Sequence, residues 1–172
     1  MALITSKIEC EFSGTDLGWT EITEDVLSPV SIKYGIQGSS AKDRVAGAGT
    51  MSLVLNNSSL NSANKEGYYS PGHPNARINW TIGLRMRAQF LDPATSTWYV
   101  KFIGYIISIK PDAGRYGSRR VDVVLGDWIE EAARSYISGI AAQINKRSDQ
   151  IISTLIANVT KQPYSRSEEH TS

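Results

Sequence analysis

The chain has 172 residues, of which 41% are hydrophobic and 20% charged, with a formal net charge of +1. This composition excludes an intrinsically disordered chain and leaves room for one ordinary domain, or one domain and the beginning of another. The near-neutral charge gives no reason to expect specific nucleic acid or a membrane surface as a partner, and the lone Cys10 excludes an intrachain disulfide or a cysteine-built metal site.

Residues 3 to 12 read as a strand, with Ile8, Cys10 and Phe12 on one face and Lys7, Glu9 and Glu11 on the other. The same stretch lacks the continuous apolar run of a signal peptide, and no run in the chain is long enough to cross a bilayer as a helix. Synthesis in a cytoplasm is expected. Ser13 to Asp16 carries turn chemistry, and Trp19, Ile22 and Val26 follow in an acidic stretch with Asp16, Glu21, Glu24 and Asp25. A second strand runs from Val30 to Ile36, and a polar link from Gln37 to Arg44 leads out of it.

The region from Gly47 to Phe90 is the organising stretch. Met51, Leu53 and Leu55 alternate with polar partners, and Leu84, Met86, Ala88 and Phe90 alternate with Arg85, Arg87 and Gln89. Between the two strands lies a long segment of Asn, Ser, Gly and Pro around Tyr68 and Tyr69, with no periodicity. A loop of that length in a compact domain is functional or docked.

Asp92 to Thr97 is a hairpin connection, and Trp98 to Lys110 is the most β-prone segment. Gly104 within it marks a bulge or a close backbone approach. After a turn at Pro111 to Gly117, Val121, Val123 and Leu125 form the next alternating strand. The period then changes. Asp127 and Glu130 make a capping pair for a short helix whose face is Trp128, Ile129, Ala132 and Ala133. Ile137 to Ile144 reads as a further strand, and Ser148 as the cap of a second helix bearing Ile151, Ile152, Leu155, Ile156 and Val159 as one stripe. The fold class expected is mainly β: a β-barrel with a short helix after its last strand, then the start of a second α+β domain.

Several segments occur in a familiar order: a Gly-rich lead-in to a strand ending Leu55-Asn56-Asn57-Ser58, then Tyr68-Tyr69-Ser70-Pro71, Leu84-Arg85-Met86-Arg87, Phe102-Ile103-Gly104-Tyr105-Ile106 and Val123-Val124-Leu125-Gly126-Asp127. Together with Ala142 to Val159, this order resembles the N-terminal domain of tail-hub and tail-tip proteins of long-tailed bacteriophages and related injection machines. The resemblance spans residues 25 to 160. It implies a barrel of the tail-tube kind, assembled as a homo-oligomeric ring in the virion tail and joined to other tail proteins, without a cofactor. The last seven residues, RSEEHTS, resemble a translated sequencing adapter. On this reading the chain divides into a barrel domain at 1–136, the start of a truncated domain at 137–165 and an artefactual tail at 166–172.

The candidate subunit interface consists of Tyr68, Tyr69, Trp80, Arg85 and Arg87. The aromatics anchor the long loop and combine apolar area with a polar tip, although folding back over their own barrel is the plain alternative. From Arg77 to Arg120 there are eight Lys or Arg against Asp92 and Asp112, while the first 25 residues set Lys7 against six acids. That asymmetry would suit pairing between protomers, or simply a solvated strand face. His73 lies in a Pro-Gly-His-Pro turn and reads as a turn residue. No nucleophile elbow, phosphate loop or zinc-ligand spacing is present, so neither a catalytic residue nor a metal ligand is expected. The rival functions are a carbohydrate-binding β module of a tail fibre, with several of Trp19, Trp80, Trp98 and Trp128 lining one exposed groove, and the non-catalytic start of a tail-associated cell-wall hydrolase.

Overall fold

A computed structural model describes residues 5–13, 18–36, 46–113 and 119–161. Seven strands, β1 (Ser6–Glu11), β2 (Trp19–Glu21), β3 (Ser31–Ile36), β4 (Ala46–Asn56), β5 (Arg85–Asp92), β6 (Thr97–Asp112) and β7 (Arg120–Gly126), precede two helices, α1 (Trp128–Arg134) and α2 (Ser148–Ala157). The strands form one antiparallel sheet in the order β2-β1-β5-β6-β7-β4-β3. The protein is mainly β, with a short helix directly after the last strand.

The sheet rolls because the chain ties its two ends together. Beyond β2, the Ile22 N–H donates to the Ile8 carbonyl at 2.8 Å, still on the outer edge of β1. A single 3-10 turn, Thr23–Asp25, follows. Val26 then bridges Leu55, and the Leu27 N–H donates to the Val54 carbonyl at 2.8 Å, on the outer edge of β4. In a flat seven-stranded sheet the β2 and β3 positions would lie about 29 Å apart. The chain from Ile22 to Leu27 reaches at most about 18 Å even when fully extended, so the sheet has to curl. Among the described residues β2 and β3 do not pair with each other, so this strap closes the roll.

Alternation decides which side chains line the interior. Ile8 and Cys10 of β1, Met51, Leu53 and Leu55 of β4, Met86 and Ala88 of β5, Phe102 and Ile106 of β6, and Val121, Val123 and Leu125 of β7 form one buried cluster with Ile22, Tyr69 and Trp80. One part of the expected pattern fails. The β5–β6 register shifts between Ala88 and Gln89, where Val100 and Phe102 are the successive partners and Lys101 is left over. Beside this bulge Gln89 is buried and Phe90 only half-buried, although β5 carries no extra residue and keeps its register with β1.

Gly104 marks a close approach. A Cβ there would come within 2.7 Å of the Phe102 ring and meet the Gly126 carbonyl oxygen head-on. The bulge on the β7 side of β6 falls further on, between Ile106 and Ser108.

The helical end differs from expectation in two places. Residues 137–144 form no strand: Tyr136 and Ile144 are 91% and 74% exposed, and alternation alone provides no ladder partner. Helix α2 begins at Ser148 itself, with Arg147 in the cap position and its N–H donating to Gln150 Oε1 at 3.1 Å. The residues 37–44 link, the 114–117 part of the predicted turn and the RSEEHTS tail lie outside the described residues.

Replacing Gly104 with Val is expected to cost about 1–3 kcal/mol through overpacking against β7. Urea unfolding of the variant beside the native chain measures it.

Candidate functional site

The long segment between β4 and β5 is built on three buried polar side chains. Asn57 receives the Tyr69 N–H on Oδ1 at 2.7 Å and donates from Nδ2 to Ser70 Oγ at 2.7 Å. Asn61 accepts from the Ala63 and Lys65 N–H groups, both at 3.1 Å, and donates to the Lys65 carbonyl. Asp25, on the strap, reaches across to take the Ser62 N–H at 2.7 Å, the Ser62 hydroxyl at 2.6 Å and the Tyr69 hydroxyl. A segment without periodicity is thus ordered by Asx turns and one imported carboxylate.

The aromatics of this segment pack inward. Tyr69 is fully buried and Trp80 is 4% exposed; their rings meet edge to face at 5.1 Å, and the Trp80 indole N–H donates to the Tyr69 carbonyl at 2.7 Å. Tyr68 stands edge-on to Tyr69 and is half-buried, with Arg77 stacked between it and Phe12. For Tyr69 and Trp80 the structure shows self-packing, and neither has surface left to offer a neighbouring subunit. Burial, followed by the hydrogen bond to Asp25, pushes the Tyr69 phenol well above its ordinary pKa. His73 accepts the Asn75 N–H at 3.1 Å inside its turn.

Arg85 and Arg87 are also engaged within the chain. In the β1–β5 register they stand opposite Glu11 and Glu9, at 2.7 and 2.6 Å. Lys7 reaches the second Glu9 oxygen at 2.9 Å. Trp19, opposite Glu11 on β2, covers the group, with the Arg87 guanidinium 4.4 Å and the Arg85 guanidinium 5.7 Å from its ring centroid. Burial alone would raise the Glu9 carboxyl, but the hydrogen bonds from Lys7 and Arg87 outweigh it and hold it below its ordinary value. Further along the basic run, Arg119 pairs with Glu66 and Arg120 with Asp112. The acidic start and the basic strands therefore meet inside one chain.

The remaining candidates are local. Asp127 caps α1 through the Glu130 N–H at 3.1 Å, and its other oxygen takes the Gly49 N–H at 2.6 Å, fastening the helix to β4. The four tryptophans do not share a groove: Trp80 is in the core, Trp19 covers the arginines, Trp98 neighbours Lys7 near the β5–β6 hairpin, and Trp128 bonds the Lys161 carbonyl. Among the described residues no cluster of three His, Cys, Asp or Glu has the geometry to hold a metal ion. Asp25, Asn57 and Asn61, the polar residues that order the loop, were legible only as an acidic residue and generic turn formers.

No protein-family model matches the chain, and no curated protein matches it.

Two outcomes follow. Tyr69→Phe removes one of the donors to buried Asp25 and is expected to cost about 1–3 kcal/mol in denaturant unfolding. Because the Glu9 pKa is depressed on folding, its contribution is present above the ordinary carboxyl value of 4.5 and is lost as pH falls through the lower folded value. Glu9→Gln is expected to flatten that acid limb in thermal melts recorded across the range.

Proposed function

We propose that this chain is a non-enzymatic structural subunit of a phage tail tip or hub, its rolled sheet joining the tail tube to the host-contacting tip. The observation that carries the reading is how the sheet ends. Its two outermost strands, β2 with three residues and β3 with six, have no second neighbour among the described residues. Open edges on a rolled sheet are an invitation to pair with another copy, and closed rotational symmetry satisfies them without runaway growth.

The C-terminal segment supports the same reading. Tyr136, Ile144, Ile152 and Leu155 are exposed by 91%, 74%, 55% and 43%. On the proposed reading these side chains meet a neighbouring subunit. Since Tyr69, Trp80, Arg85 and Arg87 are used internally, the edges and the helical end take over the role of subunit contact.

Native mass spectrometry and electron microscopy of the purified chain at rising concentration test the proposal. Closed rings of one copy number are expected. A chain that stays monomeric throughout, and whose tryptophan fluorescence responds to a glycan panel, would favour the carbohydrate-binding module instead.

A further inference from the structure

One cleft in the molecule is used by nothing described so far. Where the strap crosses from β1 to β4, the interior opens between β3 and the wall formed by β1, β5 and β6. Two adjoining hollows of about 670 and 760 Å³ share Val30, Phe90 and Lys101 and so make one continuous groove. Its floor is apolar: Ile8 from β1, Val26 and Val30 from the strap and its continuation, Phe90 and Leu91 from β5. Its far side follows β3 through Ile32, Lys33 and Tyr34, residues from both faces of that strand, so the groove borders the strand's edge rather than one face.

Three properties of this groove coincide. The β3 edge has unpaired backbone donors and acceptors, since among the described residues β3 pairs only with β4. The floor presents apolar side chains from β1, the strap and its continuation, and β5. The rim carries two exposed lysines, Lys33 and Lys101. Neither lysine has a carboxylate partner among the described residues, whereas Arg85, Arg87, Arg119 and Arg120 each have one. Lys101 is the extra residue of the β5–β6 bulge, and it lines both hollows.

We propose that this cleft binds an extended acidic polypeptide segment of a partner protein, added as a strand along β3. The segment's alternate apolar side chains enter the floor, and the carboxylates between them meet Lys33 and Lys101. Backbone pairing supplies affinity, while the floor and the lysines supply sequence preference. A free amphiphile would use the floor and the lysines but leave the strand edge unpaired, so the edge favours a peptide. The proposal shares the β3 edge with the tail-hub reading and leaves the β2 edge to contact between copies; the floor and the two lysines belong to the cleft alone, so the lysine reversal tests it separately from ring formation.

The test is fluorescence anisotropy of a labelled short peptide alternating Glu and Val, titrated with the full chain, beside a Lys-Val counterpart. The acidic peptide is expected to bind, and the basic one to bind about tenfold more weakly or worse. Lys33→Glu with Lys101→Glu, and separately Val30→Trp to fill the floor, are each expected to weaken the acidic peptide by about tenfold or more without shifting the unfolding midpoint. If Val30→Trp fails to fold, the exposed lysine pair carries the test. Equal binding of both peptides, or indifference to the lysine reversal, overturns the proposal. So does dodecanoate binding without peptide binding, which would assign the cleft to a small amphiphile. A concentration-dependent dimer abolished by the lysine reversal would assign it to a second copy and overturn it equally.

Discussion

The structure depends on a short strap, Ile22 to Leu27, that begins hydrogen-bonded to one end of the sheet and finishes hydrogen-bonded to the other. Two of its polar residues, Thr23 and Asp25, do different things. Thr23 sets its hydroxyl against the Ile8 N–H at 3.0 Å, replacing the ladder bond that β2 no longer provides. Asp25, 1% exposed, sends its carboxylate away from the sheet to collect three donors from the loop after β4. The apolar residues Ile22 and Val26 face the interior and join its packing. A buried carboxylate without partners would be strongly unfavourable. Its three hydrogen bonds make it instead the point where the roll and the loop become one structure.

With that constraint in place, the long loop becomes a lid on the core. Asp25 holds Ser62 and Tyr69, Tyr69 supports Trp80, and Trp80 together with Phe12 covers the end of the interior beside Arg77. The charged residues of β1 and β5 complete a different surface, a ladder of Glu9, Glu11, Arg85 and Arg87 under Trp19. Both groups that seemed suited to contact between subunits from their residue types are consumed in folding one chain. Among the described residues, folding leaves unpaired the outer edges of β2 and β3 and leaves open the groove beside β3.

The sheet was legible in the sequence wherever burial on one face imposed alternation. Met51, Leu53, Leu55, Val121, Val123 and Leu125 all fall as their period requires, and Asp127 caps α1 as its spacing suggests. The pattern was incomplete at the β5–β6 bulge, where Lys101 is inserted into β6 while β5 keeps its register with β1, and such an insertion leaves no mark in composition. It misled at Ile137 to Ile144, where alternation existed without a neighbouring strand to pair with. The interface expectation for Tyr69 and Trp80 rested on residue type, and residue type does not reveal that a carboxylate 44 positions earlier will hold the tyrosine inward. Long-range pairing of that kind has no local signature. The β3 groove escaped for the same reason, since Lys33 and Lys101 become neighbours only after the sheet has rolled.

Amide hydrogen exchange at Ser62 and Leu27 tests the role of the strap most directly. Ser62 is an exposed residue whose N–H is held by Asp25 at 2.7 Å, and the Leu27 N–H is held by β4. The account predicts slow exchange at both positions in the native chain. In Asp25→Ala it predicts that both lose protection together while the β6–β7 ladder keeps its own. Fast exchange at Ser62 in the native chain, or protection at both positions that survives the substitution, would contradict it.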